Sequence, residues 1–286
     1  MVAFKEELIS AIKDKPELSS LDDYFVSQIL DVFLAPLPDS VFDKYSSFTQ
    51  CKRSKKCKEL ISSVRKHLRV VYGVFIKQPL FDFKKHLSSL SSYDDPFVDN
   101  ILQFHQSTQE RFSTYKQVYK EIFYYLEKKN LPEQYVLGDF ACGYNPFSYK
   151  FLPKKPSNYF VSDLSSVDMG FVQEFFNRTN ISGKATAFDL LSDEFSKFMA
   201  STKFDVVFLF KALDSLETVK RHSSKRVFSE LQSRFIVVSF PSVTIGGNQT
   251  ISSSKRWWFE NFCEQNGWKF EVFSTSNEQF YLIEKK

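Results

Sequence analysis

The stretch VLGDFACGYNPF, from Val136 to Phe147, decides the fold of this chain. A short apolar run ends there at Asp139, and the turn that follows contains Gly143, one of only 8 glycines among 286 residues. Ligands of open α/β sheets bind outside the carboxyl ends of the strands, and a glycine lets the backbone approach them closely. The stretch therefore predicts the first strand and the first ligand-binding turn of an α/β sheet.

Six further apolar runs rich in Val, Phe and Ile complete the predicted sheet. The seven candidate strands are QYVLGDF, NYFVSDL, KATAFDL, FDVVFLF, RFIVVSF, KFEVFST and QFYLIEK. A turn and a helix-like segment follow each of the first five, and only the residues SNE separate the last two. This order predicts a Rossmann-like sheet of seven strands, with helices on both faces and an antiparallel hairpin at its end.

Helical spacing dominates the chain before Pro132. Phe25, Ile29 and Phe33 form one apolar stripe, and Asp95 before Pro96 is typical of a helix start. The pattern TQERFSTYKQVYKEIFYYLEKKN predicts one long helix. We therefore expect an all-helical N-terminal domain over residues 1–130 and an α/β domain over residues 131–286.

Basic residues concentrate in one part of the helical region, although the net charge of the chain is only +4. The stretch from Lys52 to Lys85 contains eleven Lys and Arg residues but only two acids, Glu59 and Asp82. Such a block is either a surface for a polyanion, such as nucleic acid, or a solvated helix face. The candidates for RNA contact are Lys52, Arg53, Lys55, Lys56, Lys58, Arg65, Lys66 and Arg69, with Lys255 and Arg256 in a later loop.

The cysteines and the first residues of the chain argue against several classes of protein. No two of Cys51, Cys57, Cys142 and Cys263 have CxxC spacing, and no histidines cluster near them. We therefore expect free thiols, with neither a zinc site nor disulfides. The first residues lack the pattern of a signal peptide, and no segment approaches the ~20 apolar residues of a membrane span. The expectation is a cytoplasmic protein without a metal.

Three predicted strands end at an acid, namely Asp139, Asp163 and Asp189. Asp163 follows Asp139 by 24 residues, close to the spacing of ~20 at which an acid accepts a ribose hydroxyl. The sequence has neither the further glycines of a pyrophosphate-binding loop nor a GxxxxGK[ST] motif, which argues against NAD, FAD and P-loop nucleotides. S-adenosylmethionine fits better because it carries no phosphate. Asp163 suits its ribose, Asp189 its adenine amine, and the Gly143 loop its methionine part. One such acid alone is more often a turn former, but three in succession favour the cofactor.

Several segments of the chain resemble the aminoglycoside-resistance 16S rRNA methyltransferases. They are HQSTQERF (His105 to Phe112), DFACGYNP (Asp139 to Pro146), FLFKALDSLE (Phe208 to Glu217), VSFPSVTIGG (Val238 to Gly247), WFE (Trp258 to Glu260) and the C-terminal FYLIEKK. The match runs in order from about residue 60 to the C-terminus. The resemblance implies a class I methyltransferase fold and S-adenosylmethionine as the cofactor. It also implies methylation of N7 of guanine 1405, in the decoding site of the small ribosomal subunit, and a link to aminoglycoside resistance.

The resemblance further implies roles for particular residues. Arg111 would contact the carboxylate of the cofactor, His105 and Thr108 would shape the same pocket, and Lys211 would lie beside the reaction centre. Without the resemblance, His105 would read as a helix cap or a core histidine. Lys211 and Tyr144 are the catalytic candidates, and the aromatic candidates to hold a base turned out of its stack are Tyr144, Phe147, Trp257 and Trp258. The cofactor-binding candidates are His105, Thr108, Arg111, Asp139, Ala141, Gly143, Asn145, Asp163, Leu164, Asp189, Leu190, Phe210 and Lys211.

Two positions depart from the family pattern. Val243 and Asn248 stand where the family has arginines that would be expected near the target RNA. One alternative is therefore a methyltransferase for another rRNA or tRNA nucleotide. The other is a non-catalytic RNA-binding or ribosome-assembly factor that keeps the fold. Whichever reading holds, we expect a monomer.

Overall fold

The computed structural model describes residues 4–38, 41–244, 250–252 and 256–285, without the side chains of residues 81 and 82. Within these ranges, eight α-helices precede the sheet. They are α1 (Lys5–Lys13), α2 (Asp23–Leu34), α3 (Phe48–Arg53), α4 (Lys55–Val71), α5 (Lys84–Leu87), α6 (Pro96–Gln103), α7 (Gln106–Arg111) and α8 (Tyr115–Lys128).

Strands and helices alternate in the second half of the described chain. The strands are β1 (Val136–Phe140), β2 (Asn158–Asp163), β3 (Gly183–Ala187), β4 (Phe204–Phe210), β5 (Ser233–Pro241), β6 (Lys269–Ser274) and β7 (Glu278–Glu284). The helices between them are α9 (Ser166–Arg178), α10 (Asp193–Ser201), α11 (Leu213–Val219), α12 (Ser223–Glu230) and α13 (Trp257–Gln265).

Polar side-chain caps mark the start of three helices of the first half, α3, α4 and α6. Asp95 Oδ1 accepts the backbone N–H of Phe97 at 2.8 Å, and Pro96 occupies the first turn of α6, as the sequence predicts. Ser54 ends α3 and also begins α4, where its hydroxyl accepts the N–H of Cys57 at 3.2 Å. A cap of this kind contributes about 1 kcal/mol, so Ser54 separates the two helices that carry the basic block.

The single long helix expected over residues 108–130 is wrong. α7 ends at Arg111, a 3-10 turn covers Phe112–Thr114, and α8 begins only at Tyr115. The hydroxyl of Thr114 donates to the carbonyl of Arg111 at 3.0 Å, a local bond that competes with the helical ladder. The break separates α7, which carries Arg111, from α8, which packs in the core of the sheet.

The seven strands form one sheet in the order β3-β2-β1-β4-β5-β7-β6. β1 pairs in parallel with β2 and β4, whereas β7 is antiparallel to β5 and β6. The predicted Rossmann-like sheet with its antiparallel hairpin is therefore confirmed. One detail is wrong, because a 3-10 segment, Asn145–Phe151, follows β1 in place of a helix. Pro153 and Pro156 come soon afterwards and would interrupt the ladder of a longer α-helix.

The helices of the first half pack into two different hydrophobic cores. One lies among α1, α2 and α4, where α2 buries Phe25, Val26, Ile29 and Leu30. Each such side chain contributes about 1.5–3 kcal/mol when fully buried. From Leu80 onward, α6 and α8 instead share a core with β1, β2 and β4. The domain boundary at residue 130 stays a prediction, and the packing partner of the helices changes between Tyr72 and Leu80.

The cysteines agree with the expectation of free thiols. All four are buried and free. Burial raises the pKa of Cys57 to about 12, which keeps this thiol protonated at neutral pH. Separately, none of the helices in the described part of the chain is both long and apolar enough to cross a bilayer.

Candidate active site

A cleft opens at the carboxyl ends of the parallel strands, where the strand order reverses about β1. It holds about 770 Å³, including its mouth. The loops after β1, β2, β3 and β4 form one wall, which comprises Ala141, Gly143, Asp163, Leu164, Phe188, Asp189, Leu190, Leu191, Phe210, Lys211 and Ala212. The position and most of these residues agree with the sequence analysis.

The helical region supplies a second wall, which sequence reasoning missed. Its side chains come from α2, from the last residue of α4 and from the short segment after it, and they are Phe25, Val71, Tyr72 and Phe75. Tyr72 donates its hydroxyl to Asp168 of α9 and contacts the hydroxyl of Ser20 at 2.9 Å. These bonds hold the N-terminal core against the sheet. The first 75 residues therefore complete the cleft.

Asp163 closes β2 and lies on the cleft wall. Its Oδ2 accepts the N–H of Gly143 at 2.7 Å, and its Oδ1 accepts the N–H of Leu164 at 2.7 Å. Burial raises the pKa of Asp163, although both backbone hydrogen bonds act in the opposite direction. The carboxylate is thus held in one orientation, and each oxygen keeps a lone pair that can accept a ligand hydroxyl.

Asp189 shares the wall with Asp163 but does not end a strand. β3 stops at Ala187, so Asp189 belongs to the loop that follows. Its Oδ1 accepts the N–H of Leu191 at 2.8 Å, a local turn that Asp commonly forms. Burial raises the pKa of Asp189. The residue therefore acts as a turn former and also lines the cleft.

The turn after β1 requires a glycine at position 143. Gly143 has φ +51°, and a Cβ there would lie 2.6 Å from Nε2 of His105. His105 begins α7 and reaches the cleft wall, with its Nδ1 hydrogen-bonded to the Ser107 hydroxyl at 2.9 Å. This packing joins the sheet to the motif HQSTQERF. The His105 ring faces the turn and is not a core histidine alone.

His105 is neutral in this setting. Burial lowers its pKa to about 3, and the positive charges of Arg111 and Lys211 act in the same direction. The ring therefore carries no charge at neutral pH and stays uncharged well below it, where an exposed histidine with a pKa of about 6.5 would be protonated. It presents an uncharged polar surface to the cleft.

Arg111 is buried behind the cleft, and it is not among the described residues that line it. Its Nε and Nη2 donate to Glu278 at 3.0 and 2.6 Å, and its Nη1 donates to Asn145 at 3.2 Å. Although burial acts against it, the charge of Glu278 raises the pKa of Arg111. Asn145 in turn donates to Asp139 at 2.8 Å. The network joins α7 to the ends of β1 and β7, and sequence reasoning missed Glu278.

Lys211 follows β4 and does line the cleft. Its backbone has φ +56°, held by N–H donation to the carbonyl of Ser239 at 3.0 Å. Its ammonium lies 2.5 Å from Oε2 of Glu110 and 3.9 Å from Oε2 of Glu278. Only 6% of its side chain is exposed. Lys211 therefore lines the cleft as predicted from the sequence, but its ammonium is paired with carboxylates of the protein.

Comparison with known proteins identifies the family. Residues 95–283 match the model of a family described as ribosomal RNA methyltransferase (FmrO). The chain belongs to this family. A 16S rRNA (guanine(1405)-N(7))-methyltransferase of Micromonospora echinospora is 27% identical over 241 residues, which is 79% of this chain and 83% of the relative. A second protein of that description, from Micromonospora rosea, is also 27% identical over 241 residues, with the same shares covered.

A solved structure shares the whole fold of this FmrO family member. The 16S rRNA methyltransferase RmtF, crystallised in complex with S-adenosyl-L-homocysteine, superimposes with a TM-score of 0.78 at 22% identity. The alignment covers 100% of both chains. The helical region therefore belongs to the shared architecture together with the sheet.

Besides Arg111, three further predicted cofactor residues of the FmrO family member lie behind the cleft wall. Asp139 is fully buried and accepts hydrogen bonds from Asn145 and Tyr159, each at 2.8 Å. The hydroxyl of Thr108 donates to the carbonyl of Leu102 at 2.6 Å. Burial raises the pKa of Asp139 to about 7. The cofactor roles of Asp139, Asn145 and Thr108 stay predictions, and in this structure their polar atoms hold the wall from behind and do not line it.

Tyr144, predicted as a catalytic residue and as a surface for the base, is buried as well. Its hydroxyl donates to the carbonyl of Gln78 at 3.2 Å, and its ring packs 4.9 Å from that of His105. Only 1% of the residue is exposed, so the ring is not an open surface for a base. Phe147 is fully buried, whereas Trp257, the first residue of α13, is 66% exposed.

The predicted RNA-contact residues divide into two groups. Six are exposed on α3 and α4, namely Lys52, Arg53, Lys55, Lys56, Lys58 and Lys66. Arg65 instead donates from Nε to the carbonyl of Ile12 at 3.1 Å, and Arg69 donates to Glu17 at 2.8 Å. Both bonds tie α4 to neighbouring helical segments. We define the basic surface as the six exposed residues.

Two later candidates lie outside that surface. Arg256 is only 5% exposed, pairs with Asp214 at 2.9 Å and lies 4.2 Å from the centre of the Phe240 ring. Its predicted role is corrected, since its charge serves the fold and does not face solvent. Lys255 lies outside the described residues, as does Asn248.

Proposed function

We propose that this chain transfers a methyl group from S-adenosylmethionine to N7 of guanine 1405 of 16S rRNA in the small ribosomal subunit. Membership of the FmrO family supports ribosomal RNA as the substrate class. The named activity of the Micromonospora relatives supports the nucleotide. The observation that carries the proposal is the pair of oriented carboxylates, Asp163 and Asp189, on one wall of a cleft at the topological switch point.

The cleft residues fit the methyl donor. Asp163 would accept its ribose hydroxyls, and Asp189 would accept from its adenine amine. Leu164 and Leu190 provide apolar surface on the same wall. The Gly143 loop would approach the methionine part with its backbone, and the missing Cβ leaves room for the His105 ring beside it. One Nη2 N–H of Arg111 remains beyond its bonds to Glu278, Asn145 and Tyr115, and the guanidinium charge can attract a carboxylate from behind the wall.

Methyl transfer asks for positioning and needs no proton transfer from the chain. When bound, S-adenosylmethionine supplies a methyl group on a positively charged sulfur, and guanine N7 offers a lone pair and no proton. The protein therefore needs to exclude water and align the reacting groups, which can supply much of the rate. We place the reacting base beside Lys211, the charged residue of the wall that follows β4.

The basic surface is the proposed docking site for folded rRNA. Lys55, Lys56 and Lys58 stand on the first turn of α4, and Val71 at the other end of this helix lines the cleft. One helix thus spans from the surface to the site. Recognition would rest on phosphates and shape, so binding should weaken steeply with salt. We propose that the protein acts as a monomer, in the cytoplasm where small subunits are found.

Cleavage mapping tests the proposal. Small subunits from an unmodified strain are incubated with the protein and S-adenosylmethionine, treated with borohydride and aniline, which cut at 7-methylguanine, and read by primer extension. We expect one stop, next to guanine 1405. A stop at another guanine would reassign the nucleotide, the alternative that Val243 raises. No stop from a protein that binds the cofactor would favour a non-catalytic factor. Expression in a sensitive bacterium should raise resistance to gentamicin and kanamycin.

A further inference from the structure

Four charged side chains meet at the inner edge of the cleft. Arg111 pairs with Glu278 at 2.6 Å, and Lys211 pairs with Glu110 at 2.5 Å. Lys211 also lies 3.9 Å from Glu278, which connects the two pairs. The cluster holds two cations and two carboxylates, so its formal charges cancel.

Lys211 is the member of this cluster that lines the cleft, and Glu110 is its nearest acid. Glu110 is itself fixed from two directions. Its Oε1 accepts from Nε2 of Gln106 at 2.5 Å, and its backbone carbonyl accepts from Asn277 at 2.9 Å. Although burial alone would raise it, the hydrogen bond and charge of Lys211 lower the pKa of Glu110. The carboxylate is therefore ionised beside the ammonium at neutral pH.

The proposed methyl donor makes this pairing consequential, because its sulfur is positively charged. An unpaired ammonium on the wall of the same cleft would repel it. Two unit charges about 10 Å apart, at an effective dielectric constant of about 20, repel strongly enough to weaken binding roughly tenfold. S-adenosylhomocysteine differs by having a neutral sulfur, so the same ammonium would hardly affect its binding.

We propose that Glu110 is a positioning residue that neutralises Lys211 on the cleft wall, so that the site accepts a sulfonium ion beside a lysine. This inference rests on the proposed function and deepens it. The same balance serves the transfer, in which the carbon–sulfur bond breaks, the carbon–N7 bond forms, and the positive charge passes from sulfur to guanine. Throughout, the cleft holds one added positive charge, and Lys211 adds no second one as long as Glu110 is ionised.

Calorimetry without RNA tests this role. The variant Glu110→Gln keeps the size and the hydrogen-bonding oxygen of the side chain but removes its charge. We expect its Kd for S-adenosylmethionine to rise roughly tenfold while its Kd for S-adenosylhomocysteine stays within about twofold of wild type. The matched control is Glu121→Gln, an exposed carboxylate on α8, which should change neither value.

A second variant separates electrostatics from structure. Adding Lys211→Met to Glu110→Gln removes the unpaired ammonium and should bring the ratio of the two dissociation constants back to that of wild type. If Glu110→Gln weakened the binding of both ligands equally, Glu110 would have a structural role, and the proposal would be overturned. The same holds if neither dissociation constant changed. If wild type binds neither ligand, it is the proposed function that fails. Far-ultraviolet circular dichroism verifies that each variant is folded.

Discussion

The substitution Gly143→Ala probes the turn on which the cleft depends. Gly143 has φ +51°, where an alanine costs about 1–2 kcal/mol. The new Cβ would also lie 2.6 Å from Nε2 and 2.7 Å from Cε1 of His105. Moving the imidazole is costly, because it is bonded to Ser107 and packed against Phe75 and Tyr144. Overpacking of this kind costs about 1–3 kcal/mol, so we expect a total loss of stability of about 2–5 kcal/mol.

Urea denaturation measures that loss, and calorimetry measures the cofactor. A displaced His105 would enter the cleft that it now lines, so we also expect at least tenfold weaker binding of S-adenosylhomocysteine. Gly170→Ala is the matched control, since a Cβ there meets no heavy atom within 4 Å. Because Gly170 lies inside α9, this change should stabilise the protein by about 0.5–1 kcal/mol.

A double variant separates the two causes in Gly143→Ala. Adding His105→Ala removes the clash but leaves the backbone strain, so the cost of Gly143→Ala should fall to about 1–2 kcal/mol in that background. The reasoning is refuted if the free energy of unfolding of Gly143→Ala lies within about 0.5 kcal/mol of the wild-type value and the variant binds S-adenosylhomocysteine as tightly as wild type.

Three further predictions follow from single contacts. Asp163→Ala should weaken the binding of S-adenosylhomocysteine at least tenfold by calorimetry, because a lost hydrogen bond to a charged group costs about 1.5–3 kcal/mol. The control Asp193→Ala, at an exposed carboxylate, should leave the affinity unchanged. Unchanged affinity in Asp163→Ala would remove Asp163 from the site. Arg65→Ala should lower the free energy of unfolding by about 1–2 kcal/mol, because its hydrogen bonds to α1 are lost. Lys66→Ala should lower it by less than about 0.5 kcal/mol but should weaken rRNA binding more than Arg65→Ala does. A larger loss of stability in Lys66→Ala, or a larger loss of rRNA binding in Arg65→Ala, would contradict this division of α4. The native pKa of Asp139, raised by burial to about 7, lies above its unfolded value of about 4, so its stabilising contribution is present at pH 4 and lost as the pH rises to 7. The free energy of unfolding should therefore fall less steeply between pH 4 and pH 7 in Asp139→Asn than in wild type, by up to about 1.4 kcal/mol per pH unit. Urea denaturation at a series of pH values measures this slope, and equal slopes in the two proteins would argue against a raised pKa of Asp139.

The sheet could be predicted because its signals are local and agree with one another. The alternation of apolar runs with amphipathic segments gives all seven strands, and the short spacer SNE reveals the hairpin of β6 and β7. Asp163 could be found because a polar residue at the carboxyl end of a buried parallel strand lies at the edge of the sheet where ligands bind. Asp189 shows the limit, since its chemistry indicated the right cleft although its strand ends earlier, at Ala187.

The second wall of the cleft could not be found from sequence in the same way. Phe25 and Val71 belong to ordinary apolar stripes, and a stripe does not distinguish a side chain that lines a cleft from one that packs in a core. Glu278 begins a strand and becomes important only because Arg111, 167 residues earlier, folds against it. The break after α7 depends on a competing side-chain bond of Thr114, which the periodicity of the helix conceals.

Charge patterning overstated the basic surface for a related reason. Arg65, Arg69 and Arg256 are basic in sequence, yet their guanidinium groups are used on carbonyl groups or carboxylates within the fold. Long arginine side chains reach back to their own protein as readily as outward, and only tertiary structure decides between the two. Lysines of the basic surface such as Lys56 and Lys58 are exposed and remain candidates for rRNA contact.

A crystal structure of this chain with S-adenosylhomocysteine tests the central claim most directly. The account predicts the ligand in the cleft, with a ribose hydroxyl within about 3.2 Å of an Asp163 oxygen, the adenine amine near Asp189, and Phe25 and Tyr72 on the other side of it. Density for the ligand elsewhere, or both carboxylates turned away from it, would contradict the account even though the fold was correct.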